Sequence, residues 1–332
     1  MKKLMESRKL KDKVLIENIV YKKNKKNEDL LLDVHVAEKK FNVLESLDIQ
    51  DSFVNIKPVI IFVYGGAWST GNKRMYIPLA QTLRKKGYNV VVPNYTLFPK
   101  GKVEDMVHDI GDCIRWVYEN IHKYEGDNKH IYLMGHSAGA HLCSLTVISN
   151  ALTILQKMED KADNMGHSRR KFIYSSPQLV LPQYWNQDFL EVLPKNGDRA
   201  DSQECLMHID SYPKFEINKQ KLAAVSELEI KKVIKKRKEN LKIFLPKNWW
   251  LVHGKKDLTV PSVASLNFQA TLIKLGLDNV HCTEYENVDH SRPVLELFLN
   301  ESEYTVKFLN DFETFEKTCL NSGLENARTN SI

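Results

Sequence analysis

The segment Gly135-His136-Ser137-Ala138-Gly139 has the form G-x-S-x-G, a serine held between two glycines. As a bare string it says little. Its setting says more, because Ile131-Tyr132-Leu133-Met134 reads as a buried strand and residues 140–158 read as a helix. A serine on such a strand-to-helix turn sits in a strained backbone geometry that exposes its hydroxyl at the carboxyl edge of a sheet. Large flanking side chains would clash there, and the helix N-terminus behind it favours developing negative charge. Ser137 is therefore a candidate nucleophile. The competing interpretation is a plain serine capping a helix.

A serine hydroxyl attacks poorly until a base takes its proton. In this arrangement the partners follow in chain order, acid and then histidine. Asp257 lies in the loop after a late strand, in His253-Gly254-Lys255-Lys256-Asp257, and His290 follows the next strand in Asn287-Val288-Asp289-His290. Asp289 and Glu284 are the rival acids, and His253 and His281 the rival bases. Asp289 adjoins His290, which disfavours a hydrogen bond between the two side chains. His253 precedes the acid at a strand end and His281 lies within a strand, so both read as structural. His136 and His141 flank the serine and read as packing or hydrogen-bonding groups.

Acyl transfer also needs donors for a tetrahedral oxyanion, each worth roughly 3 kcal/mol. The N–H of Ala138, just after the serine, is one. Tyr64-Gly65-Gly66-Ala67-Trp68, at the end of an earlier strand, supplies the others through the amides of Gly66, Ala67 and, as a further candidate, Gly65.

These groups need a scaffold. Residues 14–20 and 30–36 read as an antiparallel hairpin, and 37–56 as a connecting loop. Val59-Ile60-Ile61-Phe62-Val63 and residues 88–93 are continuous apolar runs, the mark of strands buried on both faces. Helical periodicity covers 76–86, stopped by Gly87, and 103–124, with Met106, Ile110, Ile114 and Val117 on one stripe. Later come a strand at 249–253, a helix at 262–275, a strand at 280–285 and a C-terminal helix starting near Pro293 or Glu303. Strand alternating with helix predicts an α/β fold with a doubly wound, mostly parallel sheet.

Composition removes other classes. A net charge of +6 on 332 residues is mild, and the one dense basic run, Lys231 to Lys238, reads as a solvated helix face, so no nucleic-acid partner is expected. Five scattered cysteines without C-x-x-C spacing suggest neither disulfides nor a metal site. No apolar run reaches the ~20 residues of a membrane span, and the charged N-terminus does not resemble a secretory signal. The expected location is cytoplasmic.

Three segments resemble the α/β-hydrolase superfamily, in its branch of hormone-sensitive-lipase-like carboxylesterases, kynurenine formamidases and isoprenylcysteine methylesterases. They are Tyr64 to Trp68; Phe98-Pro99-Lys100-Gly101 with Asp105-Met106-Val107 and Asp109; and Ile131 to Leu142. Ser176-Pro177-Gln178-Leu179 and Val288-Asp289-His290 are similar to the formamidases. The resemblance implies a serine esterase without metal or cofactor, with Ser137, Asp257 and His290 as its triad and a small ester or activated amide as substrate. A ligand-binding member of the fold that has lost catalysis is the alternative of another class. Two features depart from the family. Tyr64 replaces a histidine that braces the oxyanion loop, and only Lys171-Phe172-Ile173-Tyr174 offers a strand before the Ser-Pro segment. The expected organisation is a catalytic core of 14–158 and 249–315, a cap at 159–248 and a flexible tail at 322–332. The aromatics of the cap, Tyr184 and Trp185, read either as core or as a pocket lining, and substrate-binding residues are not assigned.

Overall fold

The computed structural model describes residues 14–24, 26–38, 41–42, 55–164, 178–182, 241–299 and 302–329. The chain opens with strands β1 (Leu15–Lys23) and β2 (Asp29–His35), paired antiparallel as their alternation predicts. The stretch expected to be loop at 37–56 carries a minimal ladder instead, β3 (Phe41–Asn42) against β4 (Asn55–Ile56). Pairs this short have too few side chains to leave a periodic signature.

The remaining strands are β5 (Val59–Val63), β6 (Asn89–Pro93), β7 (Ile131–Gly135), β8 (Gln178–Pro182), β9 (Asn248–Gly254) and β10 (Asn279–Tyr285). They join the hairpin in one eight-stranded sheet of order β1-β2-β6-β5-β7-β8-β9-β10. β2 meets β6 antiparallel, and every pair from β6 to β10 is parallel. All residues of β5, β6, β7 and β9 are buried, which is why these segments are apolar runs without alternation. Between β7 and β9 stands β8; the 171–174 segment lies outside the described residues.

Among the described residues six α-helices connect and cover the sheet: α1 (Ile77–Lys85), α2 (Val103–Asn120), α3 (Ala138–Asn164), α4 (Val263–Lys274), α5 (Arg292–Leu299) and α6 (Glu303–Thr329). Neighbouring residues in a strand point to opposite faces. The ring of Trp249 meets Phe268 of α4 edge-on at 5.6 Å, while Trp250 stacks on Phe308, Phe312 and Phe315 of α6 at 5.4, 6.0 and 5.8 Å. Hence α4 and α6 lie on opposite faces of the sheet. Both indoles are buried, and each N–H is satisfied: Trp249 donates to the Pro246 carbonyl at 2.6 Å and Trp250 to Thr283 Oγ1 at 2.8 Å. α1 ends where Gly87 takes a φ of +104°, the predicted stop.

The C-terminal region holds two helices, so both predicted starting points are real. The break is set by Ser302, whose Oγ accepts from the Thr305 N–H at 3.0 Å, while Thr305 Oγ1 donates to the Glu296 carbonyl at 2.7 Å. α6 continues to Thr329, into the polar segment that begins at residue 322. The lysine run 231–238, Tyr184, Trp185 and most of 159–248 lie outside the described residues.

Candidate active site

The elbow is built from main-chain approach. β7 ends at Gly135, α3 starts at Ala138, and Ser137 between them has φ +53°. Holding a non-glycine residue there costs on the order of 1–3 kcal/mol. The surroundings enforce it: the His136 N–H donates to the Val63 carbonyl at 3.1 Å and the Gly139 N–H to the His136 carbonyl at 2.8 Å. A Cβ at Gly139 would stand 2.1 Å from the Val63 carbonyl oxygen, and one at Gly135 2.6 Å from the Ala140 nitrogen. The two glycines are therefore steric requirements of the turn, as their spacing predicts.

Asp257 lies after β9 and His290 after β10, two adjacent parallel strands whose carboxyl ends share the edge that carries Ser137. His290 Nε2 is 2.9 Å from Ser137 Oγ, and its Nδ1 is 2.8 Å from Asp257 Oδ2. A carboxylate only accepts, so Nδ1 carries the hydrogen and donates. Nε2 of the neutral ring is then left to accept from the serine hydroxyl. Asp257 Oδ1 accepts the N–H groups of Thr259 at 2.8 Å and Val260 at 2.9 Å. Burial works against the charge of Asp257. Hydrogen bonds from His253, His290 and the Val260 amide outweigh it and hold the carboxyl well below the usual carboxylate range.

The rival residues have other work. Asp289 Oδ1 accepts from the N–H groups of Ser291 at 3.0 Å and Arg292 at 2.9 Å, at the start of α5. His281 sits on edge strand β10 and pairs with Asn279 Oδ1 at 2.5 Å. His253 is wholly buried; its Nε2 lies 3.0 Å from the Val260 carbonyl and 3.5 Å from Asp257 Oδ2, and its Nδ1 lies 2.8 Å from Ser265 Oγ. It props the loop that carries Asp257.

The loop after β5 presses directly on the elbow. A Cβ at Gly65 would lie 2.8 Å from both the His136 carbonyl oxygen and Ser137 Cβ. Gly66 has φ +128°, and Ala67 and Trp68 follow in the left-handed region at +49° and +61°. The Gly66 carbonyl takes the N–H groups of Ser69 and Thr70 at 3.1 and 3.0 Å. Among the described residues no hydrogen bond uses the N–H of Gly66, Ala67 or Ala138.

Tyr64 braces this loop. It is buried, with its ring stacked between Tyr76 at 5.4 Å and Tyr95 at 4.8 Å. Its hydroxyl donates to Asn94 Oδ1 at 3.2 Å, and its carbonyl accepts from the Tyr95 hydroxyl at 2.9 Å. Trp68 is tied from the other side, its indole N–H donating to His141 Nδ1 at 3.3 Å. Burial pushes His141 down to about 4, so the ring is neutral and that nitrogen can accept.

Sequence reasoning missed one contact. His136 Nε2 lies 2.8 Å from the main-chain carbonyl of His290. The two residues are 154 positions apart, and neither periodicity nor spacing brings them together.

Residues 47–272 match the BD-FAE family, and the chain belongs to it. A probable isoprenylcysteine alpha-carbonyl methylesterase of Arabidopsis thaliana is 30% identical over 249 residues, 74% of this chain and 47% of that protein. The esterase LipQ of Mycobacterium tuberculosis is 29% identical over 235 residues, 70% of this chain and 50% of LipQ. A shorter match joins the kynurenine formamidase of Drosophila melanogaster, 30% identical over 88 residues, 26% of this chain and 29% of that one. The chain thus spans about half or less of the length of the curated relatives it matches. Among solved structures, an esterase from Thermogutta terrifontis superposes with a TM-score of 0.51 at 20% identity, covering 89% of this chain and 94% of that one. The fold is therefore α/β, a mixed sheet with helices. No helix among the described residues is long and apolar enough to cross a membrane.

Proposed function

We propose that this protein is a serine hydrolase of the α/β-hydrolase type that cleaves a carboxylic ester through an acyl-serine intermediate. The observation that carries the reading is the unbroken line from Ser137 Oγ through the His290 ring to Asp257, at 2.9 and 2.8 Å. Support also comes from the strand order, with Ser137, Asp257 and His290 at the carboxyl ends of parallel strands, and from relatives named as esterases.

In this mechanism His290 Nε2 takes the hydroxyl proton as Ser137 Oγ bonds to the ester carbon. Asp257 fixes the tautomer and stabilises the imidazolium that forms. The amides of Gly66, Ala67 and Ala138, with Gly65 shaping the loop, hold the oxyanion. His290 then protonates the leaving alcohol as the C–O bond breaks. Water repeats the cycle on the acyl-enzyme, releasing the acid and restoring Ser137. The range expected to form the cap, 159–248, includes β8, which pairs with β7 and β9 in the sheet.

The test is hydrolysis of p-nitrophenyl acetate by the purified chain, with Ser137→Ala as control and fluorophosphonate labelling of Ser137 alongside. Equal rates in both proteins would defeat the reading. For the substrate, the longer alignment to a protein named as an isoprenylcysteine methylesterase favours a prenylcysteine methyl ester over N-formylkynurenine. Turnover of each by the same preparation separates them.

A further inference from the structure

We propose that His136 is a positioning residue, whose imidazole fastens the main chain of His290 to the nucleophile turn and so sets the reach of the base to Ser137. The inference rests on the reading of Ser137 and His290 as nucleophile and base. A carbonyl oxygen can only accept, so at 2.8 Å from the His290 carbonyl the His136 Nε2 carries a hydrogen and donates it. His136 is also the residue bonded to Ser137 in the chain. The two contacts close a ring: Ser137 to His136 by covalent bonds, His136 to the His290 main chain by one hydrogen bond, and the His290 ring back to Ser137 Oγ by another.

The main chain of His136 is itself fixed, its N–H donating to the Val63 carbonyl and its carbonyl accepting from Gly139. Its side chain therefore extends from a rigid support. His290, by contrast, stands in a turn between β10 and α5, and turns are the segments whose position most needs an outside tie. The His136 bond supplies that tie at the His290 carbonyl itself.

The charge state suits the role. The two rings lie 5.3 Å apart, so a cation on His136 would oppose the imidazolium that forms on His290 during attack. Burial holds His136 down at about 4, and the neighbouring His290 adds to that, against the opposite pull of its bond to the His290 carbonyl and of Asp257. His136 therefore remains a neutral donor while His290 takes up charge.

The experiment compares His136→Gln and His136→Leu with the wild type in the full chain. Glutamine can offer an amide N–H to the same carbonyl; leucine offers none. The readouts are kcat and KM for p-nitrophenyl acetate and the downfield Nδ1–H proton resonance of His290, which needs no turnover. His136→Leu is expected to lose about 10²-fold in kcat, the cost of a small displacement of reacting groups, with KM unchanged and the His290 resonance broadened. His136→Gln is expected to keep the resonance and most of kcat. Wild-type kcat and resonance in a folded His136→Leu protein would overturn the inference, as would a folded His136→Gln protein that falls as far as the leucine variant. If the leucine variant does not fold, the glutamine variant decides by the same two readouts. If the wild type hydrolyses no ester, the functional reading fails, and the His290 resonance still decides whether His136 orders that residue.

Discussion

Asp257 and His290 meet through one 2.8 Å hydrogen bond, while the other carboxylate oxygen of Asp257 is taken by two main-chain N–H groups. The carboxylate is thereby oriented before it orients the imidazole. Asp257→Asn keeps an oxygen for the Thr259 and Val260 amides but turns an NH2 group toward His290 Nδ1. The ring must then expose Nδ1 as acceptor and carry its hydrogen on Nε2, facing a serine that has no base. A fall of about 10⁴-fold in kcat is expected, as when the triad aspartate of a serine protease is changed to asparagine. Nitrogen NMR of His290 checks the tautomer and steady-state kinetics the rate.

The depressed pKa of Asp257 also carries a stability expectation. A carboxyl lowered in the folded state contributes stability that is present above its unfolded pKa, near 3.8, and lost as pH falls through the lower folded value. Asp257 therefore adds no stability change between pH 8 and 5. Unfolding by urea should show the contribution of the Asp257 carboxylate disappearing only below about pH 4, where wild type and Asp257→Asn converge.

Gly65 tests the contact between loop and elbow. Its missing Cβ would stand 2.8 Å from the His136 carbonyl oxygen and from Ser137 Cβ, closer than van der Waals contact allows. Gly65→Ala must push the loop away from the serine, and the Gly66 and Ala67 amides with it. Loss of one oxyanion donor costs about 10²–10³-fold in kcat, and a loss in that range is expected here. The measurement is kcat for p-nitrophenyl acetate beside far-UV circular dichroism, which should be unchanged.

What the sequence made legible followed from local sterics and chain order. Ser137 was readable because a tight strand-to-helix turn demands glycines at 135 and 139, and a one-dimensional pattern records that demand. Asp257 and His290 were readable because each follows an apolar run, and parallel strands put their carboxyl ends on one edge. β8 was not readable at its true place, since a five-residue strand that follows one proline and ends on another carries almost no periodicity. The support of Asp257 by His253 and of His290 by His136 depends on side-chain directions in three dimensions. No spacing rule encodes either.

The resemblance to the hormone-sensitive-lipase-like branch implies a histidine at position 64, so placing histidine there asks which packing the loop has adopted. Tyr64→His removes a phenol hydrogen bond worth about 1 kcal/mol and two ring contacts worth about 0.5–1.5 kcal/mol each. A stability loss of roughly 2–4 kcal/mol with no gain in kcat is expected. A lower urea midpoint at constant m-value would report it. Higher activity in this variant would mean that the tyrosine weakens the loop rather than bracing it.

Glu316 lies on α6 at the far side of the sheet core, almost wholly buried, and accepts the Tyr88 hydroxyl at 2.8 Å. Burial pushes its carboxyl up from 4.5 to about 7, with hydrogen bonds from Tyr88 and Tyr132 pulling the other way and nearby Glu313 adding to the rise. A carboxyl raised in the folded state favours folding in its protonated form. That contribution is fully present below the unfolded value near 4.5 and is lost as pH rises through 7. The fold should therefore lose up to about 3 kcal/mol between pH 5 and pH 8 at this residue, from 1.36 kcal/mol per unit. Glu316→Gln keeps an acceptor for Tyr88 and removes the titration. It should match the wild type at pH 5 and exceed it at pH 8 in urea unfolding. A constant difference between the two proteins across this range would show that Glu316 stays in one protonation state throughout.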